Sequence, residues 1–217
     1  MRIAVLGTGS VGQAVAARAA ELGHQVTIGT RDVETTRAGG YAAWAAQHPE
    51  VGLATQADAA VDADLVVNAT SGDGSLPALT AAGAANLSGK VVLDISNPLD
   101  FGAGFPPTLS VHNTDSLAER IQREFPQAKV VKSLNTVTAE LMVRPRQLAD
   151  GAHSVFVSGD DAEAKRIVTG LLVSFGHTDV IDLGDLSTAR GVEMLLPLWL
   201  RLYGRLDTAI FNIKVVR

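Results

Sequence analysis

Hydrophobic and polar positions along this chain switch repeatedly between two periods. Residues 2–6 form an apolar run, residues 10–22 repeat Val11, Val15, Ala19 and Leu22 at helical spacing, and residues 25–29, with Val26 and Ile28, read as a second strand. Gly23 is a stop signal for the helix between the two strands. The same alternation predicts a helix over 33–47 ending before Pro49, a strand over 51–55 and a short helix over 56–63. A buried strand follows in 64–69 around Leu65-Val-Val67; then come a turn over 70–75, a helix near 77–87 and a strand over 90–95. Residues 96–114 break the rhythm: Pro98, Gly102, Gly104, Pro106 and Pro107 occur without periodicity, in a loop long enough to be functional.

Beyond that loop the pattern predicts a helix capped by Asp115 and running to about Phe125, then a strand over 129–134. Irregular or short helical structure is expected over 135–151, followed by a strand over 154–158, a helix over 160–175 capped by Asp160, and a last strand over 178–183. The chain closes with a helix over 186–206, apolar from Val192 to Tyr203 and interrupted by Pro197. Strands alternating with helices predict an α/β fold of Rossmann type, a doubly wound, mostly parallel sheet with a small C-terminal helical part. The expected division is a dinucleotide-binding core over 1–135 and a completion over 136–217 packed on it, or one domain over 1–217.

The first strand and helix are joined by Gly7-Thr-Gly-Ser-Val-Gly12, the G-x-G-x-x-G spacing of a dinucleotide turn. Gly7 permits the tight turn, Gly9 lets the backbone approach a pyrophosphate, and Gly12 lets helix and strand pack closely. Thr8, Ser10 and Val11 complete the turn, and the helix that opens there presents free N–H groups to phosphate. Enzymes selective for NAD place an acid at the end of the second strand; here Thr30 takes that place, followed by Arg31. A hydroxyl and a guanidinium suit a 2′-phosphate, so NADP is the expected nucleotide, with Arg37 as a further cation. The competing assignment makes Arg31 a solvated residue at a helix start and Asp32 the ribose acid. Ala69, Thr70 and Ser71, at the end of the fourth strand, are expected along the nicotinamide half.

The 217 residues carry a formal net charge of −5 and no basic run, which argues against nucleic acid as a partner. There is no cysteine, excluding disulfides and thiolate chemistry. The chain enters its first strand at once, so the expected location is the cytoplasm. The last helix is too short and too charged, with Glu193 and Arg201, to span a membrane; it is expected to be buried or to form a homodimer surface. His24, His48, His112, His153 and His177 are scattered without metal-ligand spacing, and no G-x-S-x-G occurs. Lys132 and Asn135 fall at the end of the 129–134 strand, where Lys132 is read as structural rather than as a general acid. No catalytic side chain and no metal ligand is assigned. That suits hydride transfer between two stacked rings, which needs orientation more than acid–base help.

With these residues in place, the chain resembles the NADPH-dependent reductases of the deazaflavin coenzyme F420. The resemblance rests on the glycine turn with Gly29-Thr-Arg31, on Val130-Val-Lys-Ser-Leu-Asn-Thr136, on Val157-Ser-Gly-Asp-Asp-Ala-Glu-Ala-Lys165, and on Asp182-Leu-Gly-Asp-Leu-Ser-Thr-Ala-Arg190 followed by Glu193. It implies NADP and a deazaflavin (F420) or flavin co-substrate, the acceptor ring lying near Ser71, Ser96-Asn97-Pro98, Asn135 and residues 186–190. Asn135-Thr136 departs from the histidine-threonine of archaeal members and is similar to the cytosolic NADPH-binding domain of membrane metalloreductases. The alternatives it leaves are an NADPH-dependent flavin or ferric reductase and an NADP-binding sensor without turnover.

Overall fold

The computed structural model describes residues 1–217. Eight strands form one sheet: β1 (Arg2–Leu6), β2 (Gln25–Thr30), β3 (Gly52–Thr55), β4 (Leu65–Asn68), β5 (Val91–Asp94), β8 (Lys129–Ser133), β9 (Ser154–Gly159) and β10 (Asp179–Gly184). Their spatial order is β10-β9-β8-β5-β4-β1-β2-β3. Every pairing is parallel except β8 with β9. The order reverses direction between β1 and β4, and that switch point opens a crevice at the carboxyl ends of the strands. A two-stranded hairpin, β6 (Leu99–Asp100) with β7 (Thr108–Leu109), occupies the long proline-containing loop.

Helices cover both faces: α1 (Ser10–Glu21), α2 (Val33–Ala38), α3 (Tyr41–Ala45), α4 (Gln56–Val61), α5 (Gly72–Ala82), α6 (Ala84–Leu87), α7 (Leu117–Glu124), α8 (Ala139–Val143), α9 (Ala162–Phe175), α10 (Ala189–Met194) and α11 (Leu196–Leu206). β1, β4 and β5 are buried on both sides and read as continuous apolar runs for that reason. On one face of the sheet Val15, Ile28 and Leu93 share a core with Leu141, Val155 and Leu172. Residues before and after position 135 therefore belong to one sheet and one continuous core.

Several boundaries differ from the periodicity. The helix expected over 33–47 is two, because Gly39-Gly40 interrupts it. The helix expected near 77–87 begins at Gly72, where Ser71 Oγ accepts from Gly74 N at 3.3 Å, and breaks at Gly83, whose φ is +94°. Ser116 caps α7 in place of Asp115, which instead pairs with Arg120 and Arg123. Asp161 caps α9, while Asp160 accepts from Leu186 N at 2.9 Å. The last helix is divided into a 3₁₀ turn, α10 and α11, the final break falling just before Pro197, which cannot donate a backbone hydrogen bond.

Candidate functional site

The crevice at the switch point holds two adjoining cavities that share Ala69, Thr70, Ser71 and Asp73. The first, about 610 Å³, is bounded by the glycine turn (Gly7, Thr8, Gly9), by Gly29, Thr30 and Arg31 after β2, and by the start of α5. The three glycines divide the labour of the turn. A Cβ on Gly7 would lie 2.5 Å from Ala69 O, and Gly7 has a φ of +124° that a side chain would strain. A Cβ on Gly12 would lie 2.1 Å from Gly7 O, so Gly12 sets how closely α1 meets the turn. A Cβ on Gly9 would meet nothing within 4 Å: that face of the backbone is open to a ligand and to nothing of the protein.

The start of α1 carries no side-chain cap and no acid in its first turn. Its first N–H groups and the positive end of its dipole are therefore free for an anion. Gln13 Nε2 donates to Thr8 O at 2.8 Å and holds the turn in place. These features fit a pyrophosphate.

At the end of β2, Arg31 is exposed on the cavity wall. Asp32 is occupied elsewhere: its carboxylate accepts from Thr35 N at 2.8 Å as the cap of α2. That bond lowers its pKa. Thr30 lies 2.7 Å from the hydroxyl of Thr36, which itself donates to Asp32 O at 2.7 Å. The hydroxyl hydrogen of Thr30 is thus spent on Thr36, leaving Arg31 as the strand-end group free to meet a phosphate. Arg37 does not join them. It lies outside the cavity wall and faces Glu34 at 3.6 Å, one helical turn away in α2.

The second cavity, about 410 Å³, is more apolar. Ser10 and Val11 of α1 and the Ala69–Ser71 turn form one side; Ser96, Asn97 and Phe101 come from the loop after β5, and Asn135 and Met142 from beyond β8. Leu196, Trp199 and Leu200 of α11 close it. Asn97 and Asn135 face each other: Asn135 Nδ2 donates to Asn97 Oδ1 at 3.0 Å, and Asn97 Nδ2 returns a bond to Asn135 O at 2.8 Å. Asn135 Nδ2 also reaches Val192 O at 3.0 Å, tying α10 to the same wall. Pro98 does not line the cavity; it packs against Gly72 and accepts from Ser110 N at 2.8 Å.

Behind this wall lies a charged cluster. Lys132 is fully buried, with its Nζ 2.8 Å from Asp94, 2.9 Å from Glu193 and 2.5 Å from Ser96 O. Burial alone would depress its pKa, but Asp94 and Glu193 outweigh that and raise it, so the ammonium stays charged. Glu193 also accepts from Leu117 N and Ala118 N, at the start of α7. Asp94 accepts from Asn68 Nδ2 at 2.8 Å and from Ser96 Oγ at 2.6 Å, and Asn68 Oδ1 accepts from Thr70 Oγ1 at 2.7 Å. The chain of contacts from Thr70 to Glu193 thereby fixes the carboxyl ends of β4, β5 and β8 relative to α7 and α10. Lys132 does not line the cavity; it braces the wall from behind.

Sequence periodicity missed Gln56, Asp73 and Phe101 as wall residues, and Trp199 and Met142 as the apolar closure. Only the two last carried a signal, as apolar residues in or near the closing segments; Gln56 and Asp73 stand in the first turns of α4 and α5, and Phe101 in the loop between β6 and β7.

The family model described as NADP oxidoreductase, coenzyme F420-dependent, matches residues 2–98. A crystal structure from Arthrobacter sp. FB24, described as that of an F420-dependent NADP-reductase, is 62% identical over 100% of both chains with a TM-score of 0.98. The F420-dependent NADP reductase of Methanocaldococcus jannaschii is 29% identical over 206 residues, 91% of this chain and 90% of that protein. Metalloreductase STEAP3 of Rattus norvegicus is 30% identical over 203 residues, 91% of this chain. The alignment spans only 38% of the rat protein's length.

Proposed function

The chain belongs to the family of coenzyme-F420-dependent NADP oxidoreductases, and from that premise we propose that it transfers hydride directly between NADP(H) and the ring of a deazaflavin of the F420 type. As a family member it is an NADP-linked oxidoreductase. The observation that carries the finer reading is the pair of cavities meeting at Ala69–Ser71: one suits a phosphorylated dinucleotide, the other a flat, largely apolar ring. When bound, the nicotinamide supplies or accepts the hydride.

The protein's part is then binding and orientation. The N–H groups at the start of α1, with Gly7, Thr8, Gly9 and Gly12 shaping the turn, would hold the pyrophosphate. Arg31 beside Thr30 would take the 2′-phosphate. Ser10, Val11 and Ala69–Ser71 would bound the nicotinamide half, and Ser96, Asn97 and Asn135 the acceptor side. Two rings held in one closed cleft gain their rate from proximity and exclusion of water, so no general acid is required. A homodimer formed through the closing helix also fits, since Leu198 and Leu206 are each 52% exposed on α11; size-exclusion chromatography with light scattering tests it.

The test of the reaction is spectrophotometric: NADPH absorbance is followed with F420, FMN, FAD and a ferric chelate in separate assays. Oxidation of NADPH by F420, slow or absent with NADH, is the expected outcome. Turnover with flavin or ferric chelate but not F420 would replace this reading with the second one, a flavin or ferric reductase. The likeness to STEAP3 and the Asn135-Thr136 pair favour that alternative. NADPH binding with no turnover on any acceptor would make the protein a sensor.

A further inference from the structure

The far end of α1 carries a different site. About 12 Å along the helix axis from Ser10, Arg18 projects into a separate cleft of about 560 Å³. Arg144 and Arg146, from the segment after α8, meet it there, and the last turn of α9 from Val173 to Gly176 closes the cleft. Every charged residue in this wall is an arginine. Glu21, outside the wall, accepts from Arg18 Nη1 at 3.0 Å and from Arg144 Nη2 at 2.6 and 2.9 Å. Arg146 lies alongside Gly176 and has no carboxylate partner. Arg18 Nε is buried without any hydrogen-bond partner.

Three guanidinium groups against one carboxylate leave a formal charge of +2 in a chain whose net charge is −5. The carbonyls at the ends of α1 and α9 offset about half a charge each, which leaves the cleft positive by about one charge. Guanidinium groups match the oxygens of phosphate in number, planarity and charge.

We propose that this cleft binds a compact phosphate dianion, either inorganic phosphate or the phosphate of a small monoester, held by Arg18, Arg144 and Arg146. The ligand would bridge α1, the segment after α8 and the end of α9. α1 also reaches the cleft described above, through Ser10 and Val11, and so does α8, the helix just before Arg144, through Ala139 and Met142. The site is independent of the reaction assigned to the chain.

Isothermal titration calorimetry of the full chain, saturated with NADP⁺ so that the glycine-turn phosphate positions are filled, tests the proposal. Inorganic phosphate and glycerol 3-phosphate are the two probes. One site is expected, its affinity falling at least tenfold in Arg146→Gln and recovering in part in Arg146→Lys. Arg146 is exposed, so its replacement leaves the thermal midpoint unchanged and the loss reads as binding. Tighter binding of the monoester supports the site and identifies a phosphorylated small molecule as its ligand; equal binding supports it with free phosphate. Failure of both probes to bind, or wild-type binding by Arg146→Gln, overturns it.

Discussion

The two halves of the crevice are built in different ways. The half proposed for the dinucleotide is built mainly from stretches adjacent in the sheet: Gly7–Gly9 and Gly29–Arg31 are neighbours because β1 pairs with β2 in parallel register, and the start of α5 faces them. Its ligand-facing groups are mostly backbone, and its one free cation stands at a strand end. The half proposed for the acceptor gathers side chains from residues 69–73, 95–101, 135–142 and 196–200, held by the Lys132 cluster and the Asn97–Asn135 pair. Local backbone geometry makes the fold of the first half intolerant of an added atom at Gly7 and Gly12, while Gly9 faces open space. Buried charge makes the second half inseparable from the stability of the whole chain.

That contrast can be broken in four places. The largest effect is expected from Lys132→Met, which leaves Asp94 and Glu193 buried without a counter-charge and destabilises by about 3–5 kcal/mol. Urea unfolding measures it; a loss below 1 kcal/mol would mean the cluster does not anchor the acceptor wall. Next comes acid sensitivity beneath α8. Burial lowers the pKa of His177 to about 4, against the opposing bond to Met142 O at 2.8 Å. The unfolded chain binds this proton near pH 6.5, so the contribution is complete above that pH and is lost as pH falls toward 4. The loss approaches about 3 kcal/mol. Stability of His177→Gln that declines as steeply as wild type between those pH values would show that another group is responsible.

The dinucleotide half should respond through binding alone. Gly9→Val has room for its Cβ within the fold but fills the open face of the turn. NADPH affinity is expected to fall on the order of 100-fold, about 2.7 kcal/mol, with the thermal midpoint unmoved. A lowered midpoint with intact affinity would reverse the assignment of that face. The smallest effect is that of Arg31→Gln: KM for NADPH rises about tenfold, roughly 1.4 kcal/mol, while KM for NADH is unchanged. Equal changes with both cofactors would remove the 2′-phosphate from Arg31.

The same contrast explains which parts were legible. Strand-turn-helix patterning located β1, α1, β2 and the turn between them, because each rests on contacts within a few residues. It misplaced helix starts by one residue at Asp115 and Asp160, since Ser116 and Asp161 compete for the same capping position and periodicity cannot choose between adjacent polar residues. Arg37 was expected as a further cation beside Arg31, yet in α2 it faces Glu34 and does not line the cavity. Thr30 lines the first cavity, and its hydroxyl is engaged by a residue six positions later.

Period, glycine spacing and the absence of cysteine were enough to define an α/β nucleotide-binding chain, because hydrophobic burial and backbone sterics act over one or two elements at a time. The partners of Lys132 could not be read that way. Asp94 and Glu193 lie 38 and 61 positions from it and meet it only after β5 pairs with β8 and α10 packs behind them. The acceptor wall, the closing role of Trp199 and the convergence of Arg18 with Arg144 and Arg146 depend on the same kind of long-range packing. Such contacts are chosen by the assembled sheet, where desolvation makes an unpaired charge too costly to leave and forces distant residues into one cluster.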